Sequence, residues 1–172
     1  MDYNYLGYRF RPSGQEIITF FLDRKMRGDE FPVRLVQEVA ICKFEPWELP
    51  RQSVIPDDEE WCFFNKPSPK YANSGRTDRT TKAGFWKVTG KDLAISDDSG
   101  EQVIGFKKTL VFYRGRGSNA VKTSWVIHEY HSKNASANYQ KPFVLCRLKG
   151  NLDDKPENYT RGESSRHAAS NF

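Results

Sequence analysis

Five short segments rich in aromatic and β-branched residues constrain the fold of this chain more than any other feature. They span residues 61–64, 84–89, 103–113, 124–130 and 143–148. Clusters of Gly, Asn, Ser and Asp separate them, which is typical of strands joined by turns. The chain has 172 residues, of which 14% are aromatic, so one domain can bury a core without disulfides or metal. The pattern predicts an antiparallel sheet with a core built on aromatic rings.

A helix is predicted before the first of these segments. Apolar residues recur at helical spacing from Ile17 to Met26, and Ser13 and Glu16 fit a capping box. We therefore expect a helix over residues 14–26. A second apolar pattern, at Val33, Val36, Val39 and Ala40, is compatible with another helix. Together these patterns predict a β-rich α+β domain, in which an antiparallel sheet packs with a few helices.

The distribution of charge along the chain is more informative than its net value of +5. Residues 70–91 contain six basic residues and one acidic residue, and residues 105–125 contain five basic residues and none that is acidic. The remaining residues are net negative. Such a distribution predicts one face directed toward a polyanion, although a solvated basic surface would have the same composition.

The sequence offers little support for catalysis, a metal or a membrane span. His128 and His131 are three residues apart, whereas the helical zinc motif requires four, and on a strand they would point to opposite faces. Glycine patterns for a dinucleotide fold or a phosphate-binding loop are missing. Three cysteines at spacings that fit no zinc site or disulfide framework are expected to be buried thiols. We expect a soluble intracellular protein that is not an enzyme and needs no cofactor.

The segment around residues 85–91 has the chemistry of a strand that reads DNA. On an ideal strand Phe85, Lys87, Thr89 and Lys91 share one face, while Trp86 and Val88 would pack inward. Lysine and arginine can donate to guanine, and aromatic or methyl groups can touch a thymine methyl in the major groove. The alternative is that Phe85 and Trp86 are both core residues. Residues 113–121 are expected to form an exposed hairpin loop, whose two arginines would be free to meet phosphates.

Several long motifs resemble one known family. Residues 71–92 read Tyr-Ala-Asn-Ser-Gly-Arg-Thr-Asp-Arg-Thr-Thr-Lys-Ala-Gly-Phe-Trp-Lys-Val-Thr-Gly-Lys-Asp, and residues 125–130 read Trp-Val-Ile-His-Glu-Tyr. These motifs, with those at 45–50, 60–64, 105–116 and 143–147, resemble the DNA-binding domain of the NAC transcription factors of plants. The resemblance runs in order from residue 6 to about residue 149. It implies a twisted antiparallel sheet packed with helices, dimerisation, nuclear residence, and binding to duplex sites with a CGT-type core.

The resemblance also implies which residues contact DNA. Those expected in the groove are Arg79, Phe85, Lys87 and Thr89, those expected on phosphates are Lys70, Arg76, Lys82, Lys91, Arg114, Arg116 and Lys122, and Trp86 and Lys107 complete the DNA-binding set. We expect the DNA-binding domain to span residues 4–150 and a flexible polar tail to span residues 151–172.

The N-terminal segment is expected to form a dimer with a second copy or with another NAC protein. The resemblance implies an intermolecular strand that includes Leu6, reinforced by an ion pair between Arg9 and Glu16 of the two subunits. The capping box is a competing role for Glu16, since its carboxylate can serve its own helix. Two other functions stay open on the sequence alone: a protein-interaction module that titrates partners into dimers with little DNA binding, and a module that binds single-stranded RNA.

Overall fold

A six-stranded sheet organises the domain. The structure is a computed structural model that describes residues 9–29, 35–69, 77–134 and 142–157. The strands are β1 (Gln37–Glu38), β2 (Glu60–Asn65), β3 (Gly84–Ser96), β4 (Val103–Arg114), β5 (Val121–Ser132) and β6 (Val144–Lys149). Their order in the sheet is β1-β2-β6-β5-β4-β3, with antiparallel pairing except between β1 and β2, which are parallel. The predicted β-rich α+β architecture is confirmed.

One helix, α1, covers residues 14–27, close to the predicted range. Its backbone widens to a π-helix over Ile17–Leu22 and returns to α-helix at Asp23–Arg27. The capping box is present: Glu16 N donates to Ser13 Oγ at 3.2 Å, and Ser13 N donates to Glu16 Oε2 at 2.7 Å. This reciprocal pair satisfies two donors that a helix start otherwise leaves unpaired.

The prediction of a second helix near residues 33–40 is wrong for the residues that the structure describes, from 35 onward. Val36 packs beneath α1, whereas Val39 packs in the cluster on the opposite face of the sheet. A helix would place residues three apart on one stripe, but a short strand at the sheet edge can send them to different faces. Val39 N donates to Phe64 O at 2.9 Å, which continues the β1–β2 pairing. Val33 lies outside the described residues.

Two hydrophobic clusters enclose the sheet, one on each face. The cluster beneath α1 includes Ile17, Leu22, Phe64, Tyr130 and Leu145. The cluster on the other face is built on Trp47, Trp61, Phe112, Trp125 and Leu148, and short 3-10 turns at Ile41–Lys43 and Pro46–Gln52 help to cover it. The predicted core of aromatic rings is thus confirmed. It includes Trp86, near the start of β3, and so anchors that end of the strand.

The cysteines are free thiols, as expected. Cys62 and Cys146 are buried on opposite faces of the sheet, and Cys42 is partly buried. Burial raises the pKa of Cys62 to about 11 and that of Cys42 to about 11. A thiol with such a pKa is protonated at neutral pH, which suits a structural rather than a reactive residue.

The chain continues past β6 in contact with the sheet. Trp125 Nε1 donates to Asp154 O at 2.9 Å, and Ser124 N donates to Asp154 Oδ2 at 2.6 Å. Asn151 and Asp154 therefore contact β5, while residues 158–172 of the predicted tail lie outside the described residues. In the part of the chain that the structure describes, no helix is long and apolar enough to cross a membrane.

Candidate nucleic-acid interface

Strand β3 leaves the core about a quarter of the way along its length. Trp86 is 3% exposed and its ring lies 5.1 Å from that of Phe112, so this side chain packs inward, as expected from strand alternation, and not on the exposed surface of β3. Beyond it most side chains are exposed, including Val88 at 38% and Leu93 at 56%. The expectation that Val88 packs inward is wrong, because the strand here runs past the hydrophobic cluster. Among the described strands, β3 has a ladder partner only in β4.

A wide bulge interrupts the pairing of β3 with β4. Thr89 lies opposite Thr109 and Leu93 opposite Lys107, so three residues of β3 face a single residue of β4. Gly90 adopts φ +71°, a conformation that side chains with a Cβ rarely tolerate. The predicted alternation therefore ends at Thr89, and Lys91 lies exposed in the bulge instead of continuing the face of Lys87 and Thr89.

The bulge is tied to β4 by an ion pair. Lys108 Nζ lies 2.7 Å from Asp92 Oδ2, and the same ammonium lies 5.2 Å from the centroid of the Phe106 ring. Asp92 ends the bulge and Lys108 faces it from β4. The pair neutralises the carboxylate at a surface where a polyanion would meet repulsion.

A cross-strand aromatic stack supports the exposed face of β3. Phe85 and Tyr113 lie opposite each other with ring centroids 5.7 Å apart and an angle of 13° between planes. Lys87 is exposed, and its ammonium lies 5.5 Å from the Tyr113 ring centroid. Such cation–π packing restrains the lysine stem and leaves its charge at the surface. Phe85, Lys87 and Thr89 thus share one face, as predicted.

The segment that carries Arg79 folds back along the first residues of β3. Trp86 N donates to Arg79 O at 2.8 Å, and Thr80 pairs with Phe85. Arg79 Nη2 lies 3.8 Å from Glu129 Oε1, and that carboxylate contacts His131 Nε2 at 2.6 Å. Glu129 lies on the sheet and is only 6% exposed. Because Arg79 pairs with this carboxylate, the guanidinium stays close to the sheet.

A cleft of about 710 Å³ opens between this segment, β3 and the β4–β5 loop. Its lining includes Thr77, Arg79, Phe85, Lys87, Lys108, Arg116 and His131. Lys108, Glu129 and His131 were not predicted as site residues from the sequence. Positions 129 and 131 are two apart on β5 and so share a face, which is the signal that would have paired them. The predicted opposite orientation of His128 and His131 is consistent with this alternation.

The β4–β5 hairpin loop does not leave both arginines free, contrary to the prediction. Arg116 Nη1 donates to Gly84 O at 2.5 Å, and Nη2 donates to Thr81 O. Arg116 therefore binds backbone carbonyls at the start of β3. Lys122 is exposed just after the loop, Lys82 is exposed in the turn before β3, and Arg114 is partly exposed at the end of β4.

Basic side chains also gather on the uncovered part of the α1 face of the sheet. His128 is partly buried there, and its pKa is lowered by burial first and then by the charges of Lys107, Lys149 and Arg147. Two of these cations have a counter-charge, since Glu60 lies 2.5 Å from Lys149 Nζ and 3.8 Å from Arg147 Nε. Lys107 lies opposite Leu93 of β3 and extends the basic surface toward the exposed strand.

The N-terminal segment is anchored beside α1. Arg11 makes a bidentate contact with Asp58, at 3.1 Å from Nη1 and 2.8 Å from Nη2. Burial works to raise the pKa of Asp58, but the hydrogen bonds from Arg11 and the Glu59 backbone hold that pKa below its usual value. Arg9 is exposed. The Glu16 carboxylate accepts the capping-box hydrogen bond from Ser13 N at the start of α1. Leu6, Lys70 and Arg76, which were also predicted as site residues, lie outside the described residues.

The described residues contain no group of three or more His, Cys, Asp or Glu side chains that could hold a metal ion.

Residues 5–132 match the family model described as No apical meristem (NAM) protein. NAC domain-containing protein 86 of Arabidopsis thaliana is 44% identical over 148 residues, a match that covers 83% of this chain and 31% of that protein. For NAC domain-containing protein 71 of the same plant the values are 44% over 150 residues, 83% and 57%.

A relative from rice has similar identity. NAC domain-containing protein 54 of Oryza sativa subsp. japonica is 42% identical over 147 residues, covering 83% of this chain and 22% of that protein. The chain thus spans between about a fifth and somewhat more than half of the length of these three relatives.

Proposed function

The chain belongs to the NAC (No apical meristem) family of plant transcription factors, and from that premise we propose that it binds duplex DNA in a sequence-specific manner. The preferred sites have a CGT-type core, as the family resemblance implies. The exposed part of β3 carries the proposal. Among the described strands it pairs only with β4, and on one face it presents Lys87, which packs on the Phe85–Tyr113 stack, followed by Thr89. A two-stranded ribbon of this kind is narrow enough to enter a major groove about 12 Å wide.

We assign the described basic residues to two roles. Arg79, Lys87 and Thr89 contact base edges, with Phe85 beside them. Arg79 lines the cleft, and the other three residues share one face of β3. Lys82, Lys91, Lys107, Arg114 and Lys122 contact phosphates around this strand, and Lys70 and Arg76 are assigned to the same role on the resemblance alone. Base contacts carry sequence information, whereas phosphate contacts contribute affinity for any duplex.

Fluorescence anisotropy with three labelled probes tests the proposal. The probes are a CGT-containing duplex, a scrambled duplex and a matched single strand, each titrated across a salt series. We expect preference for the CGT duplex at physiological salt. Equal and salt-sensitive binding to all three would contradict sequence reading, and preference for the single strand would favour the RNA-binding alternative. Absence of binding would favour the protein-interaction module.

Two alanine variants test the division of roles. Arg79→Ala is expected to weaken binding to the CGT duplex by about fivefold or more while changing scrambled binding less, since one base contact provides roughly 1–3 kcal/mol of discrimination. Lys122→Ala is expected to weaken both alike and to reduce the salt slope by about one. Arg27→Ala, an exposed cation at the end of α1, is the matched control. Equal loss of discrimination in the Arg79 and Lys122 variants would refute the division.

We also propose that the domain dimerises through its N-terminal segment, with a second copy or with another NAC protein, and that it acts in the nucleus. The contact between Arg11 and Asp58 supports dimerisation, because it fixes the position of the segment that carries Arg9. Sedimentation of the wild type and of Arg9→Glu measures the contribution of Arg9. We expect the variant to shift toward monomer at micromolar concentration. A variant that stays as dimeric as the wild type would exclude an essential Arg9–Glu16 pair.

A further inference from the structure

A tight turn at residues 81–84 joins the Arg79 segment to β3. Thr81 N donates to Gly84 O at 2.9 Å, and Gly84 N donates to Thr81 Oγ1 at 3.1 Å. The turn sets where Arg79 lies relative to Lys87, since the two residues are on segments that meet at its ends. Any change in its geometry therefore changes the spacing between these two side chains.

A partly buried acidic group holds the turn from one side. Glu45, which precedes the 3-10 turn Pro46–Gln52, accepts hydrogen bonds from Thr81 Oγ1 at 2.7 Å and from Ala83 N at 2.9 Å. Both carboxylate oxygens are thus used on one short segment. Charge-assisted bonds of this kind are stronger than those between neutral groups.

Arg116 holds the same turn from the hairpin loop. Its two terminal nitrogens donate to Gly84 O and Thr81 O, while Gly115 N donates to Ala83 O at 2.8 Å. The planar guanidinium fork suits two carbonyls that lie side by side, a geometry that a lysine ammonium does not reproduce. A residue that directs its donors into backbone carbonyls has fewer of them available for a phosphate.

We propose that Arg116 and Glu45 form a clamp on residues 81–84 that positions Arg79 and Lys87 for base reading, with Arg116 acting as a positioning residue rather than a phosphate contact. The proposal rests on the proposed DNA-binding function. Thr81 completes the clamp because its hydroxyl links Glu45 to the Gly84 backbone. Discrimination between duplexes depends on the clamp, and overall charge attraction does not.

The test compares Arg116→Lys with Arg116→Ala, using Arg27→Lys as the matched control. Arg27 lies outside the proposed interface, exposed at the end of α1, where it pairs with Asp23. Anisotropy measures the ratio of CGT to scrambled affinity and the salt slope. We expect Arg116→Lys to lower the ratio about as much as Arg116→Ala does, by roughly tenfold, with an unchanged salt slope. Arg27→Lys should keep the wild-type ratio and salt slope.

Thr81→Val and Thr81→Ser give a second route if the Arg116 variants fold poorly, as thermal unfolding will reveal. Serine keeps the hydroxyl and should keep discrimination, whereas valine should lose it. A wild-type ratio in Arg116→Lys, with a reduced slope and uniform loss in Arg116→Ala, would identify a phosphate contact and overturn the clamp. Equal ratios in Thr81→Val and wild type would also overturn it. Lack of discrimination in the wild type itself would instead mean that the proposed function fails.

Discussion

Strands β2 and β3 both contain adjacent aromatic residues, but their environments are opposite. β2 has six residues with four consecutive buried side chains, because hydrophobic clusters cover both of its faces. β3 has thirteen residues, of which only Gly84 and Trp86 are buried. An unbroken apolar run therefore marks a strand that stabilises the fold, as is common for strands covered on both faces. Mixed lysines, threonines and rings mark the strand that is available to a partner.

The strongest test of this contrast is Phe63→Ala in β2. Phe63 is 0% exposed, and its truncation leaves a cavity in a close-packed core. We expect the free energy of unfolding to fall by about 3–5 kcal/mol, measured by urea denaturation. A loss below about 1 kcal/mol would mean that the central part of the sheet is not close-packed.

A smaller effect on stability is expected at Gly84, the buried first residue of β3. A Cβ at this position would lie 2.0 Å from Tyr113 O and 2.6 Å from Phe112 Cζ. Gly84→Ala should lower the free energy of unfolding by about 1–3 kcal/mol, because backbone and ring must both move. Thermal unfolding measures the loss, and an unchanged melting temperature would show that β3 can shift away from β4 without cost.

Acid should weaken the sheet through His128, which lies between the two environments. Its pKa is lowered in the folded state by burial and by neighbouring cations, so the unfolded chain binds this proton more readily. The stabilisation is present above the unfolded pKa of about 6.5 and is lost as the pH falls through it toward the folded value. The decline in the free energy of unfolding from pH 7 to pH 5 should be shallower in His128→Gln. Parallel curves for the two proteins would contradict this.

The smallest effect is expected on the exposed part of β3. Leu93 is 56% exposed beyond the bulge, so Leu93→Ala should change the free energy of unfolding by less than about 0.5 kcal/mol. Urea denaturation beside Phe63→Ala gives a direct contrast between the strands. A loss above about 1.5 kcal/mol would reveal that this part of β3 is covered in solution, for example by a second copy.

The sequence predicted those elements whose signals are local. The positions of β2, β4, β5, β6 and α1 follow from apolar periodicity and a capping box that operate over a few residues. Val36 and Val39 misled the prediction because a spacing of three fits both a helix and a short strand between two cores. The length of β3 was underestimated, since its exposed residues after Thr89 lack the apolar signal on which the strand prediction depended.

The candidate site was predicted by residue type better than by role. The basic segments do border one cleft, yet the pattern could not reveal which cations are already bound within the chain. Arg116 reaches Gly84 across 32 positions of sequence, and Glu45 reaches Ala83 across 38. Such contacts depend on the tertiary fold. The bulge was missed for a related reason, because strict alternation assumes that no residue is inserted.

The pairing of β2 with β6 determines when the sheet can be completed as the chain is synthesised. Glu60 lies opposite Lys149 and Asn65 opposite Val144, so β2 waits for its neighbour until nearly the whole domain has left the ribosome. The β3–β4 and β4–β5 hairpins can form earlier from local contacts. Until β6 is available, the four apolar side chains of β2 lack their β6 neighbours in both hydrophobic clusters. The nascent domain is then most exposed to aggregation and most in need of chaperones.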